Sequence, residues 1–234
     1  MEQVKKAVVY GDSLMKGTIM DMSYRYHAVM DERLKRFESR FPVRVTNKSR
    51  FGSTVERGYQ TVEKDLSDGL SCDLAVIEFG GNDCNFKWNE VAAAPDREHA
   101  PMTERRRFEA VLRQMIAGLR ARKITPVLMT LPPIDAELYL SFLKRSGLDC
   151  DNILKWLGDV QMIYRFHEGY SNAVKQIGGE TGCSVVDVRA YFLDKLRYRE
   201  LISVDGLHPS EKGYALVEQA FTDFWNSRAA AMPA

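Results

Sequence analysis

The stretch Val8-Val9-Tyr10-Gly11-Asp12-Ser13-Leu14 decides how the rest of the chain is read. A run of β-branched and aromatic residues stops at a glycine, and a serine follows two positions later. That pattern predicts a buried strand ending in a tight turn that lifts one hydroxyl above the sheet edge. Taken alone, such a serine serves as readily to cap a following helix. The segments that come after it decide between the two.

Outward from that stretch, residues 4–10 read as the first strand. The spacing of Tyr26, Met30, Leu34 and Phe37 predicts a helix over 24–39. Val43 to Asn47 alternates as a second strand. Gly52-Ser53-Thr54-Val55-Glu56 opens a helix, with Ser53 as its cap and Glu56 completing a capping box. Asp73 to Phe79 is a third strand closed by Gly80-Gly81, and a helical face runs from Phe108 to Leu119. Ile124 to Leu131 is a fourth strand stopped by Pro132-Pro133, followed by a helical stripe from Val160 to Ile177. Ser184 to Val188 is the fifth strand, and a last helix begins near Ser210.

Strands that alternate with helices and are apolar on both faces indicate a parallel sheet covered on both sides. The expected fold is a three-layer α/β/α sandwich, flavodoxin-like, with a five-stranded parallel sheet. Nothing divides the chain, so residues 1–228 are expected to form a single domain and 229–234 a flexible tail. Two segments, about 84–102 and 132–158, exceed ordinary loop length and read as insertions. Both follow carboxyl ends of strands, where open α/β sheets bind ligands.

The composition narrows the function. Among 234 residues, 45% are hydrophobic and 28% charged, ordinary values for a globular chain, and the formal charge is +1. That balance favours neither a nucleic-acid partner nor an anionic membrane surface. No apolar run approaches the ~20 residues of a membrane span, and no export leader is visible. The four cysteines form no Cys-x-x-Cys pair, which fits reduced thiols and a cytoplasmic location. His27 and His99 have no ligand-spaced partners, and His167 lies on an apolar helical face as a packing residue. Lys16 precedes Gly17, so the order of a phosphate-cradling loop is absent. No metal or nucleotide cofactor is expected. The sequence carries no sign of oligomeric state.

Four short segments carry chemistry: Gly11-Asp12-Ser13-Leu14, Asn47 to Gly52, Gly80-Gly81-Asn82-Asp83 and Asp205-Gly206-Leu207-His208. Three follow predicted strands and the fourth precedes the last helix, so a parallel sheet gathers all four along one edge. A serine hydroxyl needs an adjacent base to become a nucleophile. His208 can take the Ser13 proton, and Asp205 can orient the imidazole. The backbone N–H groups of Ser13 and Gly52 and the side-chain amide of Asn82 are candidate donors to a tetrahedral oxyanion. Asp12 and Asp83 read as braces of their loops, and Cys84 as bystander packing. Phe86 and Trp88 in one insertion, with Tyr139, Phe142 and Trp156 in the other, either stack on sugar rings or pack the insertions onto the body. Packing is the favoured reading.

These residues make the chain resemble the SGNH, or GDSL-type, hydrolase family. Gly11-Asp12-Ser13-Leu14 matches the first block literally, Gly52 the second block's glycine, Gly80-Gly81-Asn82-Asp83 the Gly-x-Asn-Asp block, and Asp205-Gly206-Leu207-His208 the Asp-x-x-His block. The resemblance implies a flavodoxin-like fold and cofactor-free hydrolysis of a small-molecule ester or thioester. It implies Ser13 as nucleophile, Asp205 and His208 as its partners, and an oxyanion hole of Ser13, Gly52 and Asn82. An O-acetylated sugar is the favoured substrate. A lysophospholipase, a thioesterase, acyl transfer to an alcohol and an inactive binding module are the alternatives.

Overall fold

Successive side chains of a strand point to opposite faces of its sheet, so the run Ala7-Val8-Val9-Tyr10 needs an apolar layer on each side. A computed structural model describing residues 4–231 supplies both layers. After β1 (Lys5–Tyr10) come a short hairpin, β2 (Thr18–Met20) and β3 (Tyr26–Ala28), and helix α1 (Met30–Arg40). There follow β4 (Val43–Asn47), α2 (Val55–Ser67), β5 (Leu74–Ile77), α3 (Trp88–Ala93), α4 (Arg105–Ala121) and β6 (Thr125–Met129). The second half holds α5 (Ala136–Arg145), α6 (Cys150–Leu157), α7 (Gln161–Thr181), β7 (Ser184–Val186), α8 (Val188–Leu193) and α9 (Glu211–Ala231).

The main sheet has the order β4-β1-β5-β6-β7, every neighbour parallel. Val8, Tyr10, Ala75, Ile77 and Leu128 pack on one side with residues of α2, α4 and α7. Val9, Leu74, Val127 and Met129 pack on the other with residues of α1, α8 and α9. The fold is therefore the expected α/β sandwich, a five-stranded parallel sheet between two helical layers. The chain leaves β1 towards β4 and later returns to the opposite side of β1 as β5. The loops after β1 and β5 thus diverge at a switch point, where such sheets open a crevice.

Three local expectations are corrected. The helix expected over 24–39 begins only at Met30, and the residues before it form the antiparallel pair β2–β3. Asp21 causes the change: its carboxylate accepts the N–H groups of Ser23 at 2.7 Å and Arg25 at 3.1 Å, and this competes with helix. Tyr24 takes a left-handed conformation, φ 59°, to close the reversal. Met30, Leu34 and Phe37 keep the predicted buried face, while Tyr26 falls outside the helix and is exposed.

Ser53 does not cap α2. Thr54 occupies the cap position without a side-chain hydrogen bond. The Val55 N–H instead donates to the Asp83 carboxylate at 3.0 and 3.1 Å, so another loop supplies the cap.

The two insertions contain helices. Segment 84–102 contains α3, and segment 132–158 contains α5 and α6, packed together around Phe86, Trp88, Tyr139 and Ile153. Phe86, Trp88 and Tyr139 are buried, and the Trp88 indole N–H reaches Asn85 Oδ1 at 2.7 Å and Tyr139 Oη at 3.0 Å. These aromatics hold the insertions in place. At the carboxyl end α9 runs to Ala231, three residues past the expected domain boundary, and 232–234 lie outside the described residues. All four cysteines are free, and no described helix is long and apolar enough to cross a membrane.

Packing is tight where α2 meets the end of β5. A Cβ added to Gly58 would come within 2.2 Å of the Phe79 ring tip. Overpacking of this kind costs about 1–3 kcal/mol. Gly58→Ala is expected to lower the urea midpoint accordingly, and adding Phe79→Leu to recover part of the loss. An unchanged midpoint for Gly58→Ala would contradict this packing.

Candidate active site

Ser13 stands three residues beyond Tyr10, the last position of β1, in a turn fixed by its neighbours. Asp12 Oδ1 accepts the Leu14 N–H at 2.8 Å, and Thr18 N–H returns to the Ser13 carbonyl at 3.0 Å. No helix follows Ser13, so a capping role for it is absent. From the far end of the chain the Tyr214 hydroxyl reaches the carbonyls of Leu14 at 2.9 Å and Thr18 at 3.1 Å, tying this turn to α9.

The loop before α9 brings up the other two groups. Asp205 is fully buried, and its Oδ1 accepts the N–H groups of Leu207 at 3.0 Å and His208 at 3.1 Å. Its Oδ2 lies 2.6 Å from His208 Nδ1, and His208 Nε2 lies 2.8 Å from Ser13 Oγ. The carboxylate fixes the tautomer: Nδ1 carries the proton it donates to Asp205, leaving Nε2 able to accept from the serine. Gly206 makes the loop possible. Its φ is +76°, and a Cβ there would meet Tyr139 N at 2.4 Å and Asp135 O at 2.6 Å. The insertion at 132–158 therefore braces this loop, with Asp135 N–H donating to Gly206 O at 2.8 Å.

The loop after β4 packs on the Ser13 turn, with Arg50 N–H donating to Gly11 O at 3.0 Å and Asn47 Nδ2 to Met15 O at 2.8 Å. Gly52 has φ +68° with open space around it, so the residue is set by its backbone conformation and not by crowding. Among the described residues the N–H groups of Ser13 and Gly52 have no hydrogen-bond acceptor. Asn82 differs. Its amide already donates to Asp12 Oδ2 at 2.8 Å and to the Ser53 carbonyl at 3.1 Å. Donation by Asn82 to an oxyanion therefore requires it to share or exchange one of these bonds when a substrate arrives.

Beneath these groups lie three buried carboxyls, Asp12, Glu78 and Asp83. Glu78, at the end of β5, accepts the Asp12 N–H at 3.2 Å, and its other oxygen has no partner. Burial, followed by the nearby Asp12 charge, pushes the Glu78 carboxyl well above the usual range, as expected of a neutral acid. Burial also raises Asp12, against the opposing pull of the Leu14 N–H and of His208. Burial pushes Asp83 up to about 7. The sequence reading singled out Asp12 and Asp83 as braces, and both do accept backbone N–H groups. Glu78 escaped it because a lone glutamate in an apolar strand carries no motif.

The remaining candidates stand apart. Cys84 is buried with Sγ on the Gly81 carbonyl, and burial raises its thiol. His167 is buried on α7 with Nδ1 unpartnered, and burial lowers it to about 3, so it stays neutral. Two aromatic rings that the sequence reading did not assign to the site touch the His208 imidazole. Tyr26 meets it edge-on at 5.7 Å between centroids and Phe51 is stacked at 6.3 Å.

Comparison with known proteins agrees with this architecture. The model of the GDSL-like Lipase/Acylhydrolase family matches residues 9–216. No curated protein sequence matches the chain. Among solved structures, a lipase/acylhydrolase from Enterococcus faecalis is similar at 22% identity and a TM-score of 0.67, with 96% of each chain covered. A catalytic mutant of an acetylxylan esterase from Geobacillus stearothermophilus is similar at 23% identity and a TM-score of 0.64, with 94% of each chain covered. These two likenesses speak for the fold.

The raised Asp83 carboxyl has a consequence for stability. It keeps its proton up to about 7 in the folded chain, whereas an unfolded aspartic acid loses it near 3.9. Between those values the folded state binds more protons, so this contribution is full below the lower value and is lost as pH rises through the upper one. Thermal melts from pH 4 to 7 are expected to show this loss, and Asp83→Asn to make the slope shallower. A slope unchanged in the variant would contradict the assignment.

Proposed function

Because the chain belongs to the GDSL-like lipase/acylhydrolase family, whose chemistry is ester hydrolysis, we propose that it cleaves a carboxylic ester through an acyl-enzyme intermediate on Ser13. The observation that carries this reading is the continuous line of short hydrogen bonds from Asp205 through His208 to Ser13. Ser13 Oγ attacks the ester carbonyl as its proton passes to His208 Nε2, and Asp205 stabilises the resulting imidazolium. The tetrahedral oxyanion is met by the N–H groups of Ser13 and Gly52, with Asn82 completing the set. His208 then returns the proton to the departing alkoxide oxygen. In the second half water gives a proton to the imidazole as its oxygen bonds to the acyl carbon. The bond from that carbon to Ser13 Oγ then breaks, the carboxylic acid leaves and His208 returns the proton to Ser13 Oγ.

A short acyl group, such as the acetyl of an O-acetylated sugar, is the favoured substrate. Between Gly81 and Leu207, the neighbours of Asn82 and His208, lies an apolar cavity of about 20 Å³, closed by Ile134, Ile163 and Phe166. Its apolar walls suit a small group such as a methyl. The similar fold from Geobacillus stearothermophilus is that of an acetylxylan esterase, which accords with this preference. A lysophospholipase or thioesterase would need a longer acyl channel, and acyl transfer to an alcohol would use the same residues.

Ser13 is expected to react with a fluorophosphonate probe in folded protein and to lose that reaction in Ser13→Ala. Asp205→Asn is expected to lower kcat by about 10⁴-fold by reversing the imidazole tautomer. Unaltered labelling in Ser13→Ala would contradict the reading and favour a binding module. With nitrophenyl esters, rates are expected to fall from acetyl to octanoyl, and an optimum at eight carbons would overturn the short-acyl preference.

A further inference from the structure

His208 sets a direction in the site. Its Nε2 must lie within hydrogen-bond reach of the departing alcohol oxygen, so groups that flank the imidazole flank the alcohol half of the ester.

The groups that flank the imidazole are aromatic and open to solvent. Tyr26 is 47% exposed and Phe51 58% exposed. Their centroids are 5.4 Å apart at an interplanar angle of 66°, so they make a corner against the His208 ring. Tyr24, two residues before Tyr26 on the same hairpin, is 38% exposed and carries the Arg145 guanidinium 3.9 Å above its ring. Arg145 ends α5, so the second insertion closes on the hairpin at this point.

The hairpin side of the corner is tied by local hydrogen bonds. The hairpin carrying Tyr24 and Tyr26 is held by the Asp21 carboxylate, which binds two backbone N–H groups and lies 2.6 Å from His27 Nε2. Tyr24 occupies a left-handed conformation that a bulky residue adopts only under constraint. Phe51 immediately precedes the positive-φ Gly52. Adjacent large aromatic rings left about half exposed are unusual outside binding surfaces, because burying them is favourable.

We propose that Tyr26 and Phe51 form the subsite for the alcohol half of the substrate, and that this half is a polyhydroxylated ring, a pyranose, laid against the corner. This rests on the reading of Ser13 as the acylated residue. A pyranose offers a flat C–H face that stacks on an aromatic ring and an equatorial rim of hydroxyls that needs polar neighbours. Here the Tyr26 hydroxyl and the His208 imidazole supply that polarity beside the stacking faces. An alkyl chain has no use for a fixed perpendicular corner and is served by a continuous groove.

The test separates alcohol recognition from catalysis. Methyl β-D-xylopyranoside, the bare alcohol product, is titrated into Ser13→Ala protein by calorimetry or ligand-observed NMR, so no turnover is needed. The expected result is saturable binding, weakened about tenfold when both Tyr26→Ala and Phe51→Ala are added. Tyr26→Phe keeps the ring and is expected to retain most of the affinity, and equal melting temperatures exclude a folding defect. Absence of binding, or binding indifferent to both rings, overturns the proposal. So does loss of phosphatidylcholine-vesicle binding in the double alanine variant without loss of pyranoside binding, which would make the corner a lipid contact. Fluorophosphonate labelling of the unmodified chain reports on Ser13 alone, so failure of the catalytic reading is recognised separately from failure of this subsite.

Discussion

The hydrogen bond between Ser13 Oγ and His208 Nε2 joins groups 195 positions apart, and most of the architecture is needed to make it. Neither residue could reach the other through local structure. The parallel sheet places the end of β1 at its carboxyl edge, α9 is anchored to the Ser13 turn by Tyr214, and the loop between α8 and α9 is pressed against α5 at Gly206. Each constraint acts on backbone, and the two side chains meet as a result.

The same edge concentrates groups that ordinary folding would keep apart. Three carboxyls sit buried within the turns that carry Ser13, Asn82 and the start of α2. An unpaired buried charge is expensive, so these groups are satisfied by backbone N–H donors or held neutral. Asp12 is shared among the Leu14 N–H, the Asn82 amide and the Glu78 side, and it couples the Ser13 turn to the Asn82 turn. Asp83 caps α2, which starts next to Gly52. A site built this way is positioned by its acids, at the expense of the stability a purely apolar edge would bring.

Much of this was legible in the sequence, and the reasons are specific. The strands showed because β-branched runs ended in Gly11, Gly80 or Pro132, and the helices because their apolar faces recurred at helical spacing. The polar blocks were readable because each sits in a loop at the same sheet edge, so topology alone brought them together. What escaped depended on contacts distant in sequence. The apolar period of Met30, Leu34 and Phe37 could be extended back to Tyr26, and nothing local revealed that the Asp21 carboxylate would bend the chain first. The cap of α2 came from Asp83, 28 positions beyond Val55, so the nearer Ser53 was the natural but incorrect choice. Exposed aromatics beside His208 carry no periodic signal.

The account stands on Ser13 and His208 acting as one chemical unit, and a double-mutant cycle on ester hydrolysis tests this most directly. The rates of Ser13→Ala, His208→Ala and the combined variant are compared with the parent at saturating substrate. Because each residue is useless without the other, the combined variant is predicted to lose no more activity than either single variant. Losses that multiply would mean that the two groups contribute independently, and would contradict the account.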